Sequence, residues 1–133
     1  MNPTNAERDE LFQAFGRAFF RQDLDALYEI VTEDFVYSIM LAGEPRLMNR
    51  REQIEAFFKE RLKIEKDLRF EEIVFHHAPE ATFMTYLVKG TNVDSGEAFE
   101  RIGVERYTFR DGRIAEKDVY SRPMQAVASI LTF

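Results

Sequence analysis

The 133-residue sequence predicts an α+β domain in which a cone-shaped, curved antiparallel sheet packs on three N-terminal helices. Three observations support this fold class. Apolar residues recur at helical spacing in the first half, four strand-like runs follow from Leu68, and turn signals separate those runs. A bent sheet wrapped on helices leaves a hollow at its open end. We therefore expect a single domain, residues 1–133, that encloses such a hollow.

The helices are predicted from caps followed by apolar stripes. Thr4-Asn5-Ala6-Glu7 has the pattern of a capping box, and apolar residues then recur over 11–19. Asp23 predicts the cap of a short second helix, and Asn49 that of a third. Between them, residues 34–41 (DFVYSIML) are rich in β-forming side chains and predict a strand.

The second half predicts an antiparallel meander. Its four strand-like runs are separated by Ala78-Pro79-Glu80, Asp94-Ser95-Gly96 and Asp111-Gly112, all typical of turns. Two of the runs are long and contain an interior glycine, Gly90 or Gly103. Glycine inside a long strand usually marks a bend, so we expect the sheet to curve.

Composition restricts the classes of partner. Thirteen phenylalanines and no tryptophan predict a strongly apolar core or cavity. A formal net charge of −6 and the lack of a Lys/Arg-rich run argue against a nucleic-acid partner. The absence of cysteine excludes disulfides and thiolate zinc sites. No run approaches about 20 apolar residues, so we expect no membrane partner, no signal peptide and a cytoplasmic location.

The hairpin at Asp111-Gly112 carries the main candidate site. A two-residue turn pairs Arg110 with Arg113 and places Glu105 opposite Asp118. The same register pairs Phe109 with Ile114, Tyr107 with Glu116, and Gly103 with Tyr120. Carboxylates facing each other have Cβ atoms about 4.5–5.5 Å apart. If they are sheltered from water, Glu105 and Asp118 could act as an acid and base pair.

Two alternatives remain open for this hairpin. Both carboxylates could be hydrated at a sheet rim, paired with Arg101 or Arg122. A single β-bulge could instead turn Asp118 to the opposite face. That opposite face is expected to carry Val104 and Val119 as a dimer contact.

Three segments resemble the nuclear transport factor 2-like superfamily, which contains ketosteroid isomerases and SnoaL-type polyketide cyclases. They are FGRAFFRQDLDALYEIVTEDF (15–35), NRREQIEAFFKE (49–60) and YTFRDGRIAEKDVY (107–120). The resemblance implies a homodimer and a small apolar molecule held in the cone. The isomerase tyrosine would fall at Phe15, its base at Ile39 and its aspartic acid at Glu105. Only the last remains a carboxyl, so the chain is not a steroid isomerase of the known type.

Three further side chains are candidates for catalysis or ligand contact. Tyr37 is expected to point into the cone, either donating a hydrogen bond to a ligand carbonyl or packing in the core, and Tyr28 has the same two interpretations. His76 and His77 are neighbours on a strand and point to opposite faces, so they cannot hold one metal together. One of them, His76 in our assignment, could enter the pocket as a proton carrier.

We therefore expect a small hydrophobic-molecule binding protein, with cofactor-free isomerase, dehydratase or cyclase chemistry carried by Glu105, Asp118, Tyr37 and His76. No metal and no cofactor are expected. The alternative is a non-catalytic ligand-binding or dimerisation module of the same fold, and the homodimer is expected to form through the outer sheet face. The expected ligand contacts are Phe15, Phe19, Tyr28, Ile39, Phe57, Phe58, Phe83, Tyr107 and Tyr120.

Overall fold

The computed structural model describes residues 2–41 and 43–124, and it confirms the α+β fold with a curved, open sheet. The helices are α1 (Asn5–Arg21), α2 (Leu24–Ile30) and α3 (Arg51–Ile64). The strands are β1 (Val31–Leu41), β2 (Glu44–Met48), β3 (Glu65–His77), β4 (Thr82–Asn92), β5 (Ala98–Arg110) and β6 (Arg113–Pro123). Strand β2 was not predicted from the sequence.

The helix ends follow from local capping chemistry. The Thr4–Glu7 capping box is present, and the Asp23 side chain accepts the Ala26 N–H at 3.1 Å to start α2. Helix α3 begins one residue later than predicted, because its N-cap is Arg50 and the Gln53 side chain accepts the Asn49 N–H. Among the described residues no helix is long and apolar enough to cross a membrane.

The sheet order is β2-β1-β6-β5-β4-β3, so β3 to β6 form the predicted meander. Strand β1 joins this meander by pairing with β6 in parallel, and β2 pairs antiparallel with β1 at the edge. The sheet is therefore mixed rather than wholly antiparallel. This arrangement places the last strand, β6, at the centre of the sheet between β1 and β5.

Bulges in β3 help to curve the sheet. The pairing of β3 with β4 shifts between Lys66 and Arg69 and again between Glu71 and Val74. Asp67 and Glu72 lie in these gaps with positive φ angles of 56° and 53°. An extra residue in one strand bends it and increases its twist, so β3 curves toward the helices.

The core lies between the helices and the inner face of the sheet. Phe12 on α1 stacks on Phe75 of β3 with ring centroids 4.7 Å apart, and it also meets Tyr107 of β5 at 4.7 Å. Arg8, 3% exposed, anchors the start of α1 by donating to the carbonyls of the β3–β4 turn, including Pro79 at 3.0 Å. Helix α1 is thus held against the sheet by both aromatic packing and buried hydrogen bonds.

Candidate active site

The register of the β5–β6 hairpin differs from the prediction by one residue. Arg110 pairs with Arg113 and Phe109 with Ile114, as expected from the Asp111-Gly112 turn. The register then shifts, because Thr108 pairs with Glu116 and leaves Ala115 as an extra residue in β6. This is the β-bulge that the sequence analysis left open, and it reverses the side-chain alternation beyond it.

The bulge turns Asp118 to the outer face of the sheet. Asp118 pairs with Arg106, not with Glu105, and accepts a hydrogen bond from the exposed Tyr120 hydroxyl at 2.7 Å. The predicted Glu105–Asp118 acid and base pair is therefore wrong. Val119, predicted on the outer face, lies inside.

Lys117 takes the place that the prediction assigned to Asp118. Its ammonium nitrogen lies 3.4 Å from Oε1 of Glu105, and the two side chains are only 6% and 4% exposed. The Tyr107 hydroxyl donates a hydrogen bond to the same Oε1. Glu105 is thus a buried carboxyl with one cationic partner and one phenolic donor, an arrangement that compensates its removal from water.

Aromatic rings surround the Lys117 ammonium. It lies 4.3 Å from the ring centroid of Phe15, 4.8 Å from that of Tyr37 and 5.4 Å from that of Phe19. Each ring face attracts a cation electrostatically, more strongly where water is excluded. Tyr37, which is 1% exposed, therefore contacts Lys117 from the core and helps to position it.

Two phenols near Glu105 remain protonated. Burial raises the pKa of Tyr107 well above its ordinary value, and the Glu105 charge raises it further. Burial and then the same charge also raise the pKa of Tyr86 on β4. Both hydroxyls are therefore hydrogen-bond donors throughout the neutral pH range.

Gly103 makes room for Tyr86 above the sheet. A Cβ atom at Gly103 would lie 2.6 Å from the Tyr86 hydroxyl oxygen and 2.8 Å from its Cε2. Gly90 lies under the Phe99 ring in the same way. The interior glycines therefore have a structural role besides bending the strand, because each leaves room for an aromatic ring directly over it.

A cavity of about 640 Å³ lies between the helices and the inner sheet face. Glu105, Tyr107 and Lys117 line one part of it, among mainly apolar side chains. The apolar lining includes Phe12, Phe15, Phe19, Ile39, Met84 and Val88. A volume of this size matches the range in which proteins hold small molecules.

A second polar cluster lines the same cavity. Glu65 accepts a bidentate hydrogen bond from Arg101, with Nη2–Oε1 at 3.0 Å, and one from Nε of Arg61 at 3.4 Å. Burial by itself would raise the pKa of Glu65, but the hydrogen bonds and charges of Arg101 and Arg61 outweigh it and hold that pKa below its usual range. Glu65 is thus ionised at neutral pH.

The predicted ligand contacts divide into three groups. Phe15, Phe19, Ile39 and Tyr107 line the cavity. Phe57 and Phe58 are buried in the core and are not part of its lining, and the half-buried Tyr28 lies against the Arg51 guanidinium. The assignments of Phe83 and Tyr120 to the cavity are wrong, since both are exposed on the outer sheet face.

The histidines lie away from the cavity. His76 is exposed and hydrogen-bonds the Thr85 hydroxyl at 3.2 Å, so its assignment as a pocket residue is wrong. His77 bonds Thr82 at 2.9 Å and Asp9 at 2.8 Å. Across residues 2–41 and 43–124, no group of three or more His, Asp or Glu side chains is placed to hold a metal ion.

Sequence reasoning missed Lys117, Tyr86 and the Arg61–Glu65–Arg101 cluster. Strict period-two alternation from the Asp111-Gly112 turn would place Lys117 on the outer face of the sheet, away from the cavity. The β-bulge left open in the sequence analysis could have identified Lys117, because a bulge that turns Asp118 outward also turns its neighbour Lys117 inward. Glu65 and Arg101 are 36 positions apart in the chain, so only the folded sheet brings them together.

Comparison with known proteins agrees with this architecture. The SnoaL-like domain matches residues 12–117. One similar solved structure is an NTF2-like protein from Burkholderia xenovorans, which is 16% identical over 95% of this chain and 96% of that chain, with a TM-score of 0.76. Another is a candidate polyketide cyclase from Xanthomonas campestris, which is 21% identical over 93% of this chain and 96% of that chain, with a TM-score of 0.72. A candidate isomerase from Bacillus subtilis is also similar, with 17% identity over 94% of this chain and 93% of that chain and a TM-score of 0.72. No curated protein sequence matches significantly.

Proposed function

Because the chain belongs to the SnoaL-like domain family, within the nuclear transport factor 2-like superfamily, we propose that its cavity binds a small, mainly apolar molecule and acts on it by cofactor-free proton transfer. The reaction classes are isomerisation, dehydration and aldol-type cyclisation. The observation that carries the proposal is Glu105: a carboxyl buried in the wall of an apolar cavity, beside phenols that stay protonated.

In this proposal Glu105 is the acid–base residue. Its carboxylate removes a proton from the carbon next to a ligand carbonyl and returns it at the next step. Tyr86, which lines the cavity, donates a hydrogen bond to the oxygen on which negative charge develops. Lys117, whose ammonium nitrogen lies 3.4 Å from the Glu105 carboxylate, offsets the negative charge of the intermediate. The similar structures named as a candidate cyclase and a candidate isomerase support cyclisation and isomerisation among these classes.

Hydrogen–deuterium exchange tests the chemistry without the natural substrate. The probe is 2-tetralone, an apolar ketone, and NMR in D₂O follows the loss of its α-proton signal. We expect the protein to accelerate exchange above the buffer rate, and Glu105→Gln to reduce that acceleration by about 10²-fold or more. Asp118→Asn is the matched control, since this carboxyl lies on the outer face and should leave the rate unchanged.

Equal rates for the protein and Glu105→Gln would reject Glu105 as the catalytic group. Circular dichroism on each variant checks that a lost rate is not a lost fold. A rate that falls in Asp118→Asn but not in Glu105→Gln would show that the structural register is wrong.

A non-catalytic binding module is the second candidate function. The observation that favours it is the full set of partners around Glu105, because a carboxylate bonded by Lys117 and Tyr107 is already satisfied. This alternative expects a molecule that co-purifies in the cavity, detected by native mass spectrometry. If this alternative holds, the protein will not accelerate exchange. Glu105→Gln will then bind the co-purified molecule as tightly as the parent protein does.

We also propose a homodimer through the outer sheet face. Ile102, Val104, Phe83 and Tyr120 are apolar or aromatic side chains exposed there by 37–61%. A second copy of the chain would remove this surface from water. Size-exclusion chromatography with light scattering should give a dimer mass, and Val104→Glu should give a monomer with unchanged circular dichroism. A monomeric parent protein would reject the proposal.

A further inference from the structure

We propose that the cavity selects an amphipathic carboxylate whose head group binds beside Arg61 and Arg101. The inference rests on the proposed function and specifies its ligand class. Arg61 and Arg101 line the cavity, and their side chains are 9% and 25% exposed. Arg101 is the more exposed of the two, so the head-group site is in contact with solvent.

The cluster carries an excess positive charge. Two guanidinium groups share one ionised carboxylate, Glu65, so one positive charge is uncompensated within the cluster. The protein as a whole has a formal net charge of −6, so this local sign does not follow from the overall charge. A partly buried charge without a counter-ion is costly, and an anionic ligand would relieve that cost.

Arg61 has donors left for a ligand. A guanidinium carries five N–H donors, and here only Nε donates to a described residue, Glu65. The two terminal nitrogens form no hydrogen bond with residues 2–41 or 43–124, although the side chain is more than nine-tenths buried. Arg61 lines the cavity, so its guanidinium lies beside the space that a ligand would occupy. Two such nitrogens match the geometry of a carboxylate.

Strand β5 relates the head-group site to the proposed reaction centre. Arg101, Gly103 and Glu105 lie on the inner face at alternate positions. Four residues of extended strand span about 13 Å, so the two sites are separated by roughly that distance along the sheet. Between them Tyr86 packs over Gly103. The ligand is therefore a carboxylate whose apolar body extends away from the head group, with the reacting carbon remote from the carboxylate.

Paired probes test the head-group site by isothermal titration calorimetry: octanoate, which has the charge, and octan-1-ol, which has the same chain without it. We expect the parent protein to bind octanoate about 10- to 100-fold more tightly, the range for hydrogen bonds to charged groups. Arg101→Gln leaves one arginine on Glu65 and should reduce the preference to below about 3-fold, since the excess charge is then gone. Arg106→Gln, on the outer face, is the matched control and should retain it.

A second variant is expected to increase the affinity for octanoate, a result that a misfolded protein could not give. Glu65→Gln raises the charge of the cluster, so octanoate should bind more tightly while octan-1-ol is unaffected. Equal affinity of the parent for both probes would overturn the head-group site and leave cavity binding intact. A preference that survives Arg101→Gln would also overturn it. Binding of neither probe would reject this inference and the proposed cavity function together.

Discussion

Replacing Lys117 by methionine is the most direct perturbation of the site. Methionine keeps much of the length and apolar area of the lysine stem but removes the ammonium group. In the structure this leaves Glu105, 3% exposed, with the Tyr107 hydroxyl as its hydrogen-bond donor. The substitution therefore isolates the cost of burying a carboxylate without its cation.

The magnitude follows from the geometry. At 3.4 Å the attraction between Nζ and Oε1 amounts to about 5 kcal/mol for an effective dielectric constant of about 20. Removing both ions from water offsets most of this attraction, so the pair as a whole contributes little. Removing one partner leaves the other uncompensated, which typically costs about 3–5 kcal/mol. Because Tyr107 still donates to Glu105, we expect the lower end, about 3 kcal/mol.

Urea unfolding followed by circular dichroism measures this loss, and a double-variant cycle assigns it. The double variant Glu105→Gln, Lys117→Met should lose about 1–3 kcal/mol less unfolding free energy than the sum of the losses in the two single variants. Arg110→Gln provides the control, because its ion pair with Asp34 is exposed and screened by water, so the substitution should leave the urea midpoint almost unchanged.

A loss below about 1 kcal/mol for Lys117→Met would refute the buried pair. The same series tests the bulge at Ala115, since an unbulged β6 would bury Glu116 and expose Lys117. In that case Glu116→Gln would perturb stability and Lys117→Met would not.

Three further predictions concern residues in or beside the cavity wall. Gly103→Ala should destabilise the fold by about 1–3 kcal/mol and displace the Tyr86 ring, because the new methyl group would overlap that ring. Gly16→Ala should instead stabilise the fold by about 0.5–1 kcal/mol, because Gly16 lies inside α1 with open space around its Cβ position. Urea unfolding checks both, and a neutral Gly103→Ala would contradict the packing. Glu65 has a lowered pKa in the folded state, so its ion pairs stabilise the fold above the unfolded pKa of about 4.3, and this contribution is lost as the pH falls through the folded value. The stability difference between the parent and Glu65→Gln should thus shrink between pH 6 and pH 3, and a constant difference would contradict the assignment.

Local chemistry in the sequence accounts for most of the elements. The Thr4–Glu7 box, the Asp23 cap and the Asp111-Gly112 turn each act over a few neighbouring residues, and all three appear as predicted. Strand β2 was missed because EPRLM shows no period-two apolar pattern; it is a strand because β1 offers it a free edge. The parallel pairing of β1 with β6 was missed for a similar reason, since it joins segments about 80 residues apart.

By itself, the sequence determined the fold class and the family, because caps, turns and alternation depend on near neighbours. It left open whether Glu105 faces a cavity or a hydrated sheet rim, and the folded structure buries it. Tertiary structure alone decided which side chain meets Glu105. One extra residue at position 115 reverses every side chain after it, so Lys117 enters the cavity and Asp118 leaves it. A bulge depends on how a strand fits between two neighbours in a curved sheet, and no pattern within β6 records that fit.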